Sequence, residues 1–347
     1  MRVTLRLAAA MVPLALLGCA NTGVDRLLTV SATGTVRIAL AFDYNGDRLI
    51  QPGVDSPLVG VRVKLVTTGA RDSVAGAVSQ ASGLLTMSNV PVGTYLVVVD
   101  TTPLSDTAVI AKLDSTMITV HPADTVGFNI VASYPHLSVA QARSAAVPLG
   151  HKVFLDVVAL NALATFADTT VHVTDTSGAI RAARVLPGSF IAQGDTLRLR
   201  GTMGVRTGQR VLDLVTVFAL GTTLLPPATT LSAFTAAGAQ GGTRDAQAVH
   251  IDSAIVSDTV RVHDANGNFF WRMTVTDASG PLDILLDGHA DATWADTTSA
   301  LSRIPPNDTT AYVPGHSFRV SGVLVPSGTP GLWLLRPRSS AEVLKLR

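Results

Sequence analysis

The sequence predicts an all-β chain of three domains. Valine, threonine and alanine are abundant, and glycine and proline are spread evenly along the 347 residues. Short runs in which apolar and polar residues alternate are separated by turn residues, which is the pattern of half-buried β-strands. Two stretches of the second half repeat each other, and a chain of this length has room for two or three domains of ordinary size.

The first residues have the parts of a secretory signal. Two arginines in a basic opening precede the apolar run 7–17, and small Gly18 stands directly before Cys19, the only cysteine of the chain. The run is shorter than the roughly 18–20 residues that cross a bilayer, and Pro13 interrupts it. We therefore expect a cleaved signal rather than a transmembrane helix.

The sequence Leu16-Leu17-Gly18-Cys19 resembles the lipobox of bacterial lipoproteins. The resemblance implies that residues 1–18 are a signal peptide, that Cys19 is lipid-modified as the first mature residue, and that 19–30 form a linker. Two or three acyl chains hold a protein on a membrane far more firmly than one chain does. Ala20 stands where an aspartate resembles an inner-membrane retention signal. We therefore expect a lipid-anchored protein of the cell envelope, at the outer membrane, with the membrane as one partner.

Composition argues against several kinds of chemistry. With Cys19 acylated, no thiol remains for a disulfide, a metal site or catalysis. A formal net charge of +1 argues against a general binder of polyanions and against a nucleic-acid partner. The eight histidines are dispersed, and the sequence contains no H-E-x-x-H, G-x-S-x-G, P-loop or dinucleotide fingerprint. We predict that the protein is not an enzyme.

Three residues near the end of a predicted strand fall close together, Asp283, Asp287 and His289. Alternation along that strand directs them toward solvent, and Gly288 favours a turn at its end. Catalytic sites usually combine a nucleophile, a base or a metal cluster. We interpret these three as exposed turn residues.

The first domain is predicted to span residues 31–133. A loosely alternating strand at 36–42 runs into the polar turn 43–47. The run 60–66 alternates cleanly, with Val61, Val63 and Leu65 on one side and Arg62 and Lys64 on the other. Further short strands follow, separated by glycine and proline turns.

The order of these residues resembles the B-type repeats of SD-repeat and Cna surface proteins, and more broadly the carboxypeptidase regulatory-like and transthyretin-like sandwiches. The matching residues are Asp43, Asn45, Asp47, Gly53, Gly60, Val61, Gly83, Pro91, Gly93 and Tyr95. The resemblance covers nearly the whole segment and implies a β-sandwich that serves as a stalk or spacer. It also implies a possible calcium site, since some members bind calcium through the acidic loop.

The acidic loop offers part of such a site. A calcium ion takes roughly six to eight oxygen ligands, usually with several carboxylates on one loop. Asp43, Asn45 and Asp47 supply an alternating pattern of oxygens, and Asp55 adds another carboxylate. Three positions depart from the family pattern, at Arg48, Gln51 and Val54. Two interpretations stay open: a calcium site, or a turn in which these side chains cap backbone N–H groups.

The second half contains two copies of one unit. Residues 173–178, Val-Thr-Asp-Thr-Ser-Gly, are echoed at 275–280 by Val-Thr-Asp-Ala-Ser-Gly. The run 194–201 is echoed at 315–322 in the same order. Self-similarity of this kind indicates two related domains.

These two domains are assigned to 134–223 and 224–347, and the second carries a polar insertion at about 290–307. The run 138–143 predicts a short helix capped by its serine, and 152–160 predicts a strand. The layout resembles the small OB-like barrels found as accessory domains in secreted bacterial proteins. The resemblance implies two tandem barrels behind the sandwich.

Candidate ligand-binding residues lie in both barrels. Arg198 and Arg200 lie on one face of a strand whose leucines point into the core, and OB-folds often bind single strands or oligosaccharides on one face. The other interpretation is an ordinary solvated strand face. Trp294 lies in the polar insertion, where it either stacks on a sugar ring or packs in the core or an interface.

Together these observations predict a non-catalytic, lipid-anchored envelope protein that serves as a surface scaffold, adhesion or accessory-binding protein. Its partner at the cell surface would be an unidentified protein or glycan. The alternative is a ligand-binding module for oligosaccharide or single-stranded nucleic acid that uses the OB-like domains. No cofactor is expected apart from the calcium ion considered above.

Overall fold

The structure is a computed structural model that describes residues 32–105, 107–263, 269–294 and 312–346. Regular structure in these residues is almost entirely β-strand, with two α-helices of five residues each and two 3-10 turns. The prediction of an all-β chain is therefore confirmed. The signal sequence, Cys19 and most of the polar insertion lie outside the described residues.

The first unit, called here the sandwich domain, packs two sheets face to face. One sheet has the order β2-β1-β9-β7 with β5 also paired to β1, and the other has the order β4-β3-β6-β8. The strands are β1 (Thr33–Asp43), β2 (Ser56–Pro57), β3 (Arg62–Thr67), β4 (Ser73–Val78), β5 (Leu84–Pro91), β6 (Gly93–Val99), β7 (Val109–Leu113), β8 (Met117–Val120) and β9 (Thr125–Ser133). Alternation directs Val36, Ile38 and Leu40 of β1 against Val63 and Leu65 of β3 in one apolar core.

The first and last strands of the sandwich domain run parallel. β1 and β9 pair without interruption from Thr35 opposite Thr125 to Asp43 opposite Ser133. The Ser133 hydroxyl donates a 3.0 Å hydrogen bond to the Asp43 carbonyl at the far end of this ladder. Because paired parallel strands point the same way, the chain enters the domain at one end and leaves it at the other, about 30 Å away at roughly 3.3 Å per residue.

The second unit, the first barrel, is a closed sheet. Its elements are β10 (His136–Leu137), α1 (Val139–Arg143), β11 (Lys152–Ala159), β12 (Val171–Asp175), β13 (Gly178–Val185), β14 (Asp195–Arg206) and β15 (Gln209–Thr222). The order β11-β12-β13-β15-β14 closes because β14 pairs back onto β11, and β13 and β15 run parallel. This is the strand order of a five-stranded Greek-key OB barrel.

The third unit, the second barrel, repeats the same path. Its elements are β16 (Thr229–Thr230), α2 (Ala233–Ala237), β17 (Ala248–His263), β18 (Phe269–Asp277), β19 (Gly280–Asp287), a 3-10 turn (Ala292–Trp294), β20 (Ser317–Pro326), β21 (Trp333–Arg336), a second 3-10 turn (Ser340–Glu342) and β22 (Val343–Lys345). β20 pairs back onto β17, and β19 meets β21 in parallel. β22 then adds to β20.

The repeated Asp-x-Ser-Gly turn ties each barrel to the helix that precedes it. In the first barrel, Asp175 accepts the N–H groups of Ser177 and Gly178 through Oδ1 and that of Val139, the first residue of α1, through Oδ2. The Ser177 hydroxyl accepts the next helical N–H, from Ala140. Because the first N–H groups of a helix lack partners within it, this turn completes the cap that Ser138 begins.

The second barrel repeats this cap atom for atom. Asp277 accepts the N–H of Ala233, the first residue of α2, and Ser279 accepts that of Phe234. Burial alone would raise the pKa of Asp277, but the hydrogen bonds from Ser279, Ala233 and Gly280 bring it below the ordinary value. The repeat seen in the sequence is therefore a helix cap that is present in both barrels.

Candidate functional site

The acidic turn that follows β1 is closed by its own backbone. Asp43 is fully buried, and its carboxylate accepts N–H groups from Asn45 at 3.1 Å, Gly46 at 2.6 Å and Arg48 at 2.8 Å. Gly46 has a φ of +76°, which a residue with a side chain adopts at a cost. Residues 43–48, called here the capped loop, therefore owe their shape to hydrogen bonds made by Asp43.

The remaining candidate calcium ligands are joined to one another. The Asn45 amide donates to Asp47 at 3.1 Å and to Gln51 at 3.2 Å, and the Gln51 amide donates to Asp47 at 2.7 Å. Asp55 accepts the N–H groups of Tyr44 and Gln51. A cation would have to displace these donors. No group of three or more histidine, cysteine or acidic residues in the described ranges is placed to hold a metal ion. Calcium binding stays a prediction.

The two candidate arginines of the first barrel hold the capped loop. Arg198 donates through Nη1 to the Gly46 carbonyl at 2.7 Å and through Nε and Nη2 to Asp156 at 2.8 and 3.0 Å. Arg200 donates to the Tyr44 carbonyl at 2.7 Å, with its guanidinium 5.5 Å from the Tyr44 ring centre. Both guanidinium groups therefore lie against the sandwich domain, which covers this face of the barrel. A role for them in binding an external ligand remains a prediction.

Aromatic rings fill the contact behind these arginines. Phe42 lies 4.9 Å from Tyr44 and 5.0 Å from Tyr134, and His136 stacks on Phe154 at 4.9 Å. The Nε2 atom of His136 is buried and has no hydrogen-bond partner. Burial, followed by the charge of Arg198, lowers the pKa of His136 below its ordinary value. The sequence did not single out His136, since a lone histidine carries no spacing signal.

Trp294 is a core residue. It is 1% exposed and packs with the apolar side chains of the second barrel. Its Nε1 donates to the Tyr312 hydroxyl at 3.4 Å, and the Tyr312 ring stacks on Phe318 at 5.3 Å. The packing interpretation therefore describes Trp294, and the proposal of a sugar platform is wrong in this structure because neither ring face is open. The rest of the insertion, 295–311, lies outside the described residues.

An ionic cluster with a buried centre, Arg336 and Asp287, joins the two barrels. Arg336 donates to Asp287 at 2.5 Å and to Asp168 at 2.7 Å, and its guanidinium lies 4.0 Å from the centre of the Phe166 ring. Asp287 is 0% exposed, so the prediction that it faces solvent is wrong. It also accepts the N–H of Ala167 from the first barrel at 3.3 Å. Alternation placed Asp287 outside its own barrel but could not show that the other barrel covers it.

A second buried contact joins the barrels at Asp245. Its carboxylate accepts from Trp333 at 2.9 Å and from Arg181 of the first barrel at 3.2 Å. Arg143, at the end of α1, donates to the carbonyls of Gly242 at 2.6 Å and Thr243 at 3.0 Å. Arg181 is 9% exposed, because the second barrel covers its guanidinium. The two barrels thus share polar contacts around Asp245 as well as around Arg336.

Comparison with known proteins finds solved structures that are only distantly similar to this chain. No family model matches the chain, and no curated protein matches it. A minor pilin of Streptococcus agalactiae is similar at 16% identity and a TM-score of 0.24; the match covers 30% of this chain and 45%, less than half, of that one. A murine DNA-binding protein solved with double-stranded DNA is similar at 13% identity over 56% of this chain and 97% of that one, with a TM-score of 0.29.

A shaft pilin from Lactobacillus rhamnosus is also similar, at 11% identity over 56% of this chain and 100% of that chain, with a TM-score of 0.23. Pilins and a DNA-binding protein thus both appear among the neighbours. The β-sandwich and the two barrels rest on the strand pairings given above. Among the described residues, no helix has the length and apolarity that a membrane crossing requires.

Proposed function

We propose that this chain is a non-catalytic, lipid-anchored protein of the bacterial cell envelope that serves as a surface scaffold or adhesion protein. In this proposal the sandwich domain is a spacer, and the two barrels are the part presented to a protein or glycan partner. The parallel pairing of β1 with β9 carries the proposal, because it separates the entry and exit of the chain.

The anchor and the barrels attach to opposite ends of the sandwich domain. The segment from Cys19 joins β1 at Thr33, whereas the barrels follow Ser133 at the other end of the ladder. A hairpin arrangement of the first and last strands would bring both attachments to one end. The parallel arrangement instead adds the length of the domain to the distance between membrane and barrels, which is what a spacer requires.

Firm contacts between the units support a scaffold rather than a string of loose domains. The sandwich domain contacts the first barrel through Arg198 and Arg200, and the barrels contact each other through Arg336 and Asp245. Arginines that an OB barrel could offer to a ligand are thus used inside the chain. This favours the scaffold role over the alternative of a ligand-binding module.

Energy transfer to the membrane tests the proposed orientation. The mature protein is placed in vesicles that contain an acceptor lipid and carries one donor dye, at Thr125→Cys near the start of the ladder or at Arg319→Cys on the second barrel. Both positions are exposed, and an acylated Cys19 does not react with the dye. We expect strong transfer from position 125 and weak transfer from position 319. Equal or reversed efficiencies would refute the spacer role.

The anchor is tested with Cys19→Ser in the same two labelled proteins. Loss of the acyl chains should leave the protein in the soluble fraction with no transfer from either position. A Cys19→Ser protein that stays on the vesicles would refute lipidation at this residue while leaving the direction of the sandwich domain testable.

A further inference from the structure

We propose that the contact between the sandwich domain and the first barrel is an acid-sensitive hinge with His136 as its titrating group. The proposal rests on the contact itself and not on the lipid anchor or the scaffold role. At neutral pH the contact is closed by the two arginines and the aromatic rings. Protonation of His136 opens it while both domains stay folded.

The surroundings of the His136 Nε2 atom offer no acceptor for a proton. Its Nε2 atom is buried without a partner, and one ring face stacks on Phe154. Gly46 of the capped loop covers this atom so closely that a Cβ built there would lie 3.0 Å from Nε2 and 2.9 Å from Cδ of Arg198. A proton on Nε2 would therefore create a buried N–H donor without an acceptor, which is costly.

Charged groups of both signs surround His136, and the largest charge effect on its pKa, that of Arg198, opposes protonation. Arg198 of β14 and Arg48 of the capped loop act as positive neighbours, and Asp156 of β11 and Asp43 of β1 act as negative ones. Asp156 is already bound by Arg198 through two hydrogen bonds, and Asp43 by three N–H groups of the loop. A further cation, Lys152, lies over the ring of Tyr134 in the same cluster. Neither carboxylate makes a hydrogen bond with the Nε2 atom of His136.

The direction of the pH effect follows from this burial. In the open hinge His136 is exposed and titrates near its ordinary pKa of 6.5, whereas in the closed hinge burial, followed by Arg198, holds the pKa lower. The closed form is then fully favoured above the ordinary pKa. As the pH falls from 6.5 toward the lowered pKa, the equilibrium between the closed and the open hinge shifts toward the open form. The full shift is about tenfold for each unit that separates the pKa of His136 in the two forms.

The fold allows the contact to open without melting either core. The sandwich core and the core of the first barrel are separate apolar clusters. Only the short connection at Tyr134 and Pro135 joins β9 to β10. The closing contacts are local: Arg198 and Arg200 with two loop carbonyls, and the rings beside them.

Hydrogen exchange on the full chain tests the hinge. The N–H groups of Gly46 and Arg48 report on the capped loop, and those of Ile38 and Leu40 report on the sandwich core. Exchange is compared between about pH 8 and about pH 5, corrected for the intrinsic effect of pH on exchange, with a chelator present so that no cation occupies the loop. We expect faster exchange at Gly46 and Arg48 in acid and no change in the core.

Two histidine variants separate the hinge from a general effect of acid. His136→Phe keeps a ring on Phe154 but cannot take a proton, so its capped loop should stay protected in acid. His121→Phe makes the same exchange at an exposed position of the sandwich domain and should behave like the unmodified chain. An acid response of His136→Phe equal to that of the unmodified chain would overturn the proposal, as would equal loss of protection in the core.

A third variant keeps the test decisive if His136→Phe fails to fold. Gly46→Ala should hold the hinge open at neutral pH by steric contact with His136 and Arg198. The pKa of His136, read from the NMR shift of its ring, should then rise toward the ordinary 6.5. A pKa that stays at the value of the unmodified chain, with the capped loop exposed, would contradict the assignment of His136.

Discussion

Substitution of Arg336 is expected to destabilise the contact between the two barrels more than substitution of any exposed arginine does. The side chain is 5% exposed and donates to Asp287 and Asp168, with its guanidinium against the ring of Phe166. Arg336→Ala would leave the fully buried carboxylate of Asp287 without its counter-charge. Removing one partner of a buried ion pair lowers the free energy of unfolding by about 3–5 kcal/mol.

The environment of Asp287 places the cost near the lower end of that range, at about 3 kcal/mol. Its carboxylate keeps two N–H donors, from His289 at 2.8 Å and Ala167 at 3.3 Å. These bonds offset part of the lost interaction. The free energy of unfolding is measured by urea denaturation, with separate probes on the two barrels, because loss of this contact should also let the barrels unfold at different urea concentrations.

Two comparisons decide whether the buried charge is the cause. Arg319→Ala removes an exposed arginine from β20 and should change the free energy of unfolding by no more than about 0.5 kcal/mol. Arg336→Met combined with Asp287→Asn removes both charges and keeps a side-chain oxygen that can accept the His289 N–H, so it should recover part of the loss. A loss below about 1 kcal/mol for Arg336→Ala, or no recovery in the double variant, would refute the reasoning.

Three further outcomes follow from the described contacts. Asp277→Asn should lower the free energy of unfolding by about 1–2 kcal/mol, because it weakens the cap of α2. Since the pKa of Asp277 is lowered, the difference in stability between variant and unmodified chain should disappear as the pH falls below 3.8. A difference that persists in acid would contradict this role of Asp277. Gly83→Ala should destabilise the sandwich domain by more than about 1 kcal/mol, since the φ of Gly83 is +73° and a Cβ would meet the Leu40 carbonyl. An unchanged melting temperature would contradict this. Calcium should not raise the melting temperature relative to chelator, because the oxygens of the acidic loop already accept N–H groups. A clear rise would instead show that calcium binds the folded chain.

Local features of the fold were predictable because they depend on neighbours in sequence. Ser138 was expected to cap a short helix, and its hydroxyl accepts the Gln141 N–H while the Gln141 side chain accepts the Ser138 N–H in return. The alternating pattern of β14 was expected to direct Leu197 and Leu199 inward, and both are 0% exposed. Such patterns need only the period of a strand or the geometry of a helix terminus.

The contacts between domains were not predictable from the sequence. The alternation of apolar and polar residues shows which side chains face the core of their own domain, but not whether another domain covers the remaining ones. Asp287 and Arg336 are 49 positions apart, and no spacing rule relates them. Arg198 and Asp287 both face away from their own barrels, which the pattern showed, yet each is covered by another domain. Trp294 was judged by the polarity of the insertion around it, whereas its large apolar surface decides its burial.

The two barrels show how the same unit acquires different neighbours. Both copies keep the Asp-x-Ser-Gly cap, which acts inside each copy. They differ where a neighbour binds: Arg200, which holds the Tyr44 carbonyl, corresponds to Ser321, which bonds to His250 of its own barrel at 2.8 Å. The internal cap is thus present in both copies, whereas Arg198 and Arg200 of the first copy contact the sandwich domain. Differences between the repeats, more than their shared residues, therefore mark the contacts that order the three domains.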